Sequence, residues 1–568
     1  VRGDDGVRSL RIFVHTNKRE LNMMSLKRTG LRALLAAGTL AAAGAAQAAH
    51  SYIPFIETMN TGGNQGIWLA DVDHLGNPPY QLTNQLLDGS TSLSATVAVL
   101  NDWTLNAATH QATGVTPQLV VWGQGGHLYK ANLRSIQPVQ QFTNGSYQEL
   151  CSVTALDERP FAAARAYVQA VVEPVGSGGS CASGLGTQTW LIPANADNTV
   201  APTLEPTNWN VLGAFTDPTD GSFVRWIVWT GNEVDAYKAN FTGRTTLLVG
   251  PPTGPSPVTI ARQDGNAIIV ASSDDGTNHT DRVYHLAMVG SALVSTLSYP
   301  DSAPCVASQQ VGGSEVDSAA GIVNLAENTA AGYAVYAIPL AGGAATQAYA
   351  DSSGVRCGSV LGDSTSGSFF SINESDNSTG DSRVLAANEA GPATQAPNVL
   401  VDAGVGNFAS TRYTINGHFW ITVFDFSGPS TAYSTVVADG NGTIVQNYSN
   451  ARVGDDIWGG FNASGSTPNI ERDVVYLFSP NATRCTGGTL TAIDPLAFTG
   501  VNISGVPADA CSALAYGWQP ASVGYFQEGG GSSPIEIDPV AGKSYPLLGV
   551  DPNGLFTNVA SLSGYPFF

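Results

Sequence analysis

Apolar and polar residues alternate in short runs along most of the chain, and the runs come in pairs. In "QGIWLADVDHLGNPPYQLTN", Gln65 to Asn84, Ile67 and Leu69 mark one strand, Gly76 to Pro79 a turn, and Leu82 the end of a second strand. The same hairpin returns in "GGHLYKANLRSIQPVQQFTN" from Gly125, and again from Thr187, Asn232, Thr280 and Ala331. Weaker copies begin at Asp381, Ser430, Gly487 and Ser532, which makes ten, mostly about 45 to 60 residues apart, the period of propeller blades.

Another apolar run precedes most copies, as in "QLVVWG" from Gln118 and "HFWITVFDF" from His418, and a shorter one precedes that, as in "NVLGAFTDPTDG" from Asn210. Each unit therefore reads as four antiparallel strands, A to D, and the expected fold is all-β: a β-propeller of about ten four-stranded blades. The first unit has strands B ("SYIPFIETM"), C and D but no A. The run "VASLSGYPF", Val559 to Phe567, stands unpaired and shares its Val, Leu, Pro and Phe positions with the strand A run "VTALDERPF", Val153 to Phe161. That tail is expected to complete the first blade and close one ring, which removes two exposed sheet edges. Two packed smaller propellers are the alternative.

The copies "IWLADVDHLGNPPYQLTN" and "LYKANLRSIQPVQQFTN" follow a pattern in which a short apolar strand ends near Asp, a turn follows, and Leu-Thr closes the next strand. In this they resemble the repeat of TolB-type, WD40-like propellers. The resemblance implies a propeller fold; in that family such repeats serve as docking platforms in the periplasm, or as the non-catalytic gate of a serine peptidase.

The N-terminal residues change the picture of where this fold works. Met23 or Met24 opens "MMSLKRTGLRALLAAGTLAAAGAAQAAH", a basic stretch, an Ala/Leu run and Ala46-Gln47-Ala48, the pattern of a bacterial Sec signal over residues 23–48 with cleavage after Ala48. Residues 1–22, including Arg2-Gly3-Asp4, read as an upstream extension without adhesive meaning, and 49–568 as the propeller. The expected location is periplasmic or extracellular. No cysteine follows the cleavage site for a lipid anchor, and no later apolar run approaches the ~20 residues of a membrane-spanning helix.

Residues 1–48 hold eight of the 24 Lys/Arg and three of the 45 Asp/Glu, so residues 49–568 carry a formal charge of −26. Such a surface repels nucleic acid and anionic lipid and keeps an exported monomer in solution.

Six cysteines, Cys151, Cys181, Cys305, Cys357, Cys485 and Cys511, are expected to be paired in an oxidising compartment. With strands running A to D, the D-to-A and B-to-C connections share one face, and all six cysteines fall there. Pairing in sequence order joins neighbours, although 15 pairings are open to six cysteines. The acidic loops "SSDDGTNHTD" and "NESDNSTGD" lie on the same face, where Asp274, Asp275, Asp281, Asp376 and Asp381 are candidate calcium ligands without a known calcium-loop spacing.

Other chemistry leaves no mark in the sequence. There is no Gly-x-Ser-x-Gly elbow, no Walker loop and no dinucleotide fingerprint, so no cofactor is expected. "GDSTSG" at Gly362 to Gly367 occupies the A-to-B turn position of "DPTDGS" at Asp217 to Ser222 and reads as a turn. The leading expectation is a non-catalytic scaffold whose cysteine-bearing face binds a protein or cell-surface glycan. Carboxylates that meet only in space would instead allow a polysaccharide-cleaving enzyme, and a surface adhesin component is the third reading.

Overall fold

The computed structural model describes residues 52–558 apart from internal stretches, the longest being 454–474; residues 1–51 and 559–568 lie outside the described residues. Among the described residues there is no helix, and the strands form ten sheets of four antiparallel strands each. Every hairpin expected from the sequence supplies strands C and D of one sheet.

The eighth sheet shows why these residues build such units. Its strands are Phe408–Ile415 (A), His418–Asp425 (B), Ala432–Asp439 (C) and Ile444–Ser449 (D). Strand B buries Phe419, Trp420, Ile421 and Thr422 in succession, a run that a sheet solvated on one face could not carry. Alternate residues point to opposite neighbours. Phe419 and Ile421 pack with Val384, Ala386 and Leu400 of the seventh sheet, whereas Trp420 packs with Val475, Leu477 and Ile493 of the ninth. Strand D, at the outer edge, is mostly exposed.

The core therefore lies between consecutive sheets rather than at one centre. Apolar clusters join the first sheet to the second, the second to the third, the third to the fourth and the fourth to the fifth. Others run unbroken from the sixth to the tenth. Trp122, Trp226 and Trp420 are fully buried in these layers, and each large side chain so buried contributes roughly 1.5 to 3 kcal/mol.

The acidic residue that ends many C strands has a structural task. Asp439 Oδ1 accepts hydrogen bonds from the amides of Asn441 and Thr443, at 3.0 and 2.8 Å. Asp494 does the same for Leu496 and Ala497, and Asp538 for Val540 and Ala541. These carboxylates satisfy turn amides that the hairpin leaves unpaired.

The first sheet differs from the others. Tyr52–Met59 pairs on one side with Gly66–Asp71 and on the other with Gly554–Asn558, in antiparallel register from Phe55 opposite Asn558 to Met59 opposite Gly554. The strand A position is thus filled from far along the chain, as expected, but by a run upstream of the expected one. Asp551-Pro552-Asn553-Gly554 is a turn sequence that starts a strand at once, ahead of the run matched to Val153. Val559–Phe567 lies outside the described residues.

Among the described residues, no helix is long and apolar enough to cross a membrane.

Candidate functional site

In each antiparallel A-B-C-D sheet the B-to-C connection lies at the end where strand A begins. That end gathers the bonded cysteines. Cys151, on strand A of the third sheet (Tyr147–Leu156), is bonded to Cys181 in the same unit's B-to-C connection. Cys485, in the ninth unit's B-to-C connection, is bonded to Cys511 on strand A of the tenth sheet (Ala510–Gly517). Beside this second bond the Gly487 amide donates to the Ala510 carbonyl at 3.1 Å, so the two units are joined covalently and by backbone. Cys357 lies on strand Arg356–Leu361, and Cys305 lies outside the described residues.

A carboxylate binds three units together at the same end. Asp88, between the first and second sheets, accepts from the amides of Gly125 and Gly126 in the second unit's B-to-C turn, at 3.0 and 2.8 Å. It also accepts from the Tyr147 hydroxyl at 2.8 Å, where strand A of the third sheet begins. Burial and the Asp88 charge both push the Tyr147 phenol up, so it stays protonated and donating. Gly125 and Gly126 both have positive φ, 59° and 79°, which lets both amides point at one carboxylate.

Between the sixth and seventh sheets the centre is Glu374, on strand Phe369–Asp376 with its side chain fully buried. It accepts from Arg356 Nη1 at 2.7 Å, Arg383 Nε at 2.5 Å and the Tyr333 hydroxyl at 2.6 Å. Arg356 also donates to Asp381 at 2.9 Å. Burial works against the Arg356 charge, but its bonds to Asp381 and Glu374 outweigh that and leave its pKa raised. Burial, with Glu374 adding to it, pushes the Tyr349 phenol up to about 12. An ion cluster that takes hydrogen bonds from both sheets ties the two together.

The candidate calcium ligands divide between two units. Asp376 and Asp381 flank one B-to-C turn, in which the Asp376 amide donates to the Asp381 carbonyl at 2.7 Å and Asp376 Oδ1 accepts from the Thr379 amide at 3.1 Å. Asp274 and Asp281 belong to the fifth unit, where Asp274 pairs with His279 and Asp281 with Ser272. Asp275 lies outside the described residues. Among the described residues no group of three or more His, Cys, Asp or Glu is placed to hold a metal ion.

Asp88, Tyr147, Glu374, Arg356 and Arg383 were not singled out from the sequence. A charged residue inside the strand run "FFSINESD" is the one signal that would have pointed to Glu374. The segment "GDSTSG" joins Arg356–Leu361 to Phe369–Asp376, strands A and B of the seventh sheet, and itself lies outside the described residues.

No protein-family model and no curated protein matches the chain. Among solved structures it is similar to a Mycobacterium tuberculosis puromycin-hydrolyzing peptidase, with 14% identity over 57% of this chain and 51% of that one and a TM-score of 0.30. It is similar to Porphyromonas gingivalis dipeptidyl peptidase 4, with 9% identity over 83% of this chain and 61% of that one and a TM-score of 0.36. A chain of a nidogen/laminin complex gives 13% identity over 49% of this chain and 92% of that one, with a TM-score of 0.23. The chain thus spans between half and two thirds of the length of the two peptidases.

Proposed function

We propose that the ten sheets close into one ring of TolB-like repeats, exported to the periplasm or beyond. In this reading its cysteine-bearing face is a rigid, non-catalytic platform for a protein or cell-surface glycan. The observation that carries it is the number of independent ties on that face. Two disulfides, the Asp88 carboxylate and the Arg356–Asp381 pair all fix B-to-C connections to strand A starts. A surface held in one conformation loses little entropy when a partner binds.

Closure into one ring is supported by a bond that recurs at the other end of the sheets. Side chains on or just after strand C or D of one unit reach the C-to-D turn of the next: Lys130 to the Ala194 carbonyl, Asn398 to that of Gly440, Tyr448 to that of Phe498 and Ser504 to that of Gly542. Glu536 of the tenth unit reaches the turn of the first with the opposite polarity, its carboxylate accepting from the Gly76 amide. Export is supported by two disulfides, which persist in oxidising compartments.

The test uses the chain from Ala49 onward and a variant whose B-to-C connections at 176–186 and 482–486 are replaced by Gly-Ser segments. Capture of partners from cell-surface and secreted fractions, and binding on a glycan array, are expected to fall in the variant. Unchanged capture would overturn the assignment of the face, and turnover of glycans by the purified protein would overturn the non-catalytic reading.

A further inference from the structure

The first and tenth units meet at a carboxyl group shut away from solvent. Glu536, on strand C of the tenth sheet (Ser532–Asp538), is fully buried, and its Oε2 accepts from the Gly76 amide at 2.8 Å. Its Oε1 has no hydrogen-bond partner among the described residues. Tyr545, the cross-strand partner of Glu536, lies against the same turn: a Cβ on Gly76 would stand 2.9 Å from Cδ1 of its ring. The turn of the first unit therefore rests on two neighbouring side chains of the tenth.

This tie differs in kind from those at four other joints. There Lys130, Asn398, Tyr448 and Ser504 donate from their side chains to carbonyls of the next turn. Of these five ties, the one at Glu536 alone is made by a carboxyl, a group that ordinarily titrates in acid and is moved toward neutrality by burial.

The charges around Glu536 favour its neutral form. Asp71, at the end of strand C of the first sheet (Gly66–Asp71), is largely buried and acts on it as a like charge. Asp71 is held within its own turn, where Oδ1 accepts from the Asp73 amide at 3.1 Å and Oδ2 lies 3.0 Å from His74 Nδ1. Lys543, on strand D of the tenth sheet (Lys543–Pro546), is stacked over the Tyr545 ring at 4.7 Å. Burial and the Asp71 charge push the Glu536 carboxyl up to about 7, with the Gly76 amide opposing them. Ionised, it would be a buried anion with one oxygen lacking a donor, a charge that only entering water can stabilise.

We propose that the joint between the first and tenth units is a latch that opens as pH rises. Ionisation of Glu536 draws water to Oε1, and the turn around Gly76 separates from Glu536 and Tyr545, while the pairing of Tyr52–Met59 with Gly554–Asn558 persists. The folded value lies above the ordinary 4.5, so the closed latch is fully favoured below about pH 4.5 and loses its advantage as pH rises through about 7. The latch stands apart from the platform reading above, whose contact face is at the opposite end of the sheets.

The test follows hydrogen–deuterium exchange of the purified protein at pH 6 and pH 8, corrected for the intrinsic pH dependence of exchange. Peptides covering residues 72–80 report the latch, and those covering the turns at 439–443 and 494–499 serve as references. The first turn is expected to exchange about tenfold faster at pH 8 than at pH 6, the change produced by a carboxyl at about 7 when closed and 4.5 when open, while the references hold. Glu536→Gln, uncharged at both pH values, is expected to remove the rise. His74→Gln, which removes the imidazole beside Asp71, is expected to keep it. Equal exchange at the two pH values, an equal rise at the reference turns, a rise that survives Glu536→Gln, or one lost in His74→Gln would overturn the proposal. So would exchange at residues 52–59 rising together with the turn, since the whole joint would then separate. The comparison among turns of the parent protein decides the question even where a variant fails to fold.

Discussion

Glu536 Oε2 accepts a hydrogen bond from the Gly76 amide at 2.8 Å, joining residues 460 apart in sequence. The same carboxyl is fully buried, and its Oε1 has no hydrogen-bond partner among the described residues. Gly76 lies in the turn of the first sheet and Glu536 on strand C of the tenth, so this contact and the pairing of Gly554–Asn558 with Tyr52–Met59 hold one seam from two sides.

That seam should weaken as pH rises. Burial pushes the Glu536 carboxyl up, the Gly76 amide opposes this, and the Asp71 charge adds to it; the net result is about 7, against an ordinary value of 4.5. Because the folded value lies above the unfolded one, the fold binds more protons between them. The contribution is fully present below about pH 4.5 and is lost as pH rises through about 7. Thermal unfolding from pH 5 to 8 is expected to show this decline, and Glu536→Gln to flatten it while raising the neutral-pH midpoint. An unchanged slope in the variant would assign the decline to other groups.

Gly76 should resist any side chain. Its φ is 83°, and a Cβ there would stand 2.9 Å from Cδ1 of the Tyr545 ring. Gly76→Val is expected to cost about 2 to 4 kcal/mol through strain and overlap together, read by urea unfolding. Tyr545→Ala combined with it should recover the overlap but not the backbone strain.

The Glu374 cluster should behave as one unit. Glu374→Gln leaves Arg356 and Arg383 without their shared buried countercharge, and the expected loss is roughly 3 to 5 kcal/mol. Tyr333→Phe removes one donor to the same carboxylate and should cost about 1 to 2 kcal/mol. A double-mutant cycle on denaturant midpoints should give less than the sum, because both changes act on one acceptor; strict additivity would show that the hydroxyl acts elsewhere.

Removing the bond between the ninth and tenth units tests how firmly the cysteine-bearing end is held. Cys485→Ser with Cys511→Ser is expected to lower stability by about 2 to 4 kcal/mol. Amide exchange should quicken at Gly487, whose bond to Ala510 lies beside the disulfide. Exchange confined to the parent rate would mean that the backbone bond suffices alone.

What the sequence determined by itself is local. Alternating runs such as Ile67 and Leu69, Asp-led turns such as those at Asp439 and Asp538, and their recurrence in ten copies are properties of neighbouring residues, and they specify four-stranded antiparallel units. The four bonded cysteines, Cys151, Cys181, Cys485 and Cys511, lie at one end of those units. Only the tertiary structure decided which run completes the first sheet, because the pairing of Gly554–Asn558 with Tyr52–Met59 joins opposite ends of the sequence. It also decided the partners of Glu374, Asp88 and Glu536. In each case the meaning of the residue comes from groups on other units. An isolated Glu in a strand carries no record of the distant amide or guanidinium that desolvation and packing set against it.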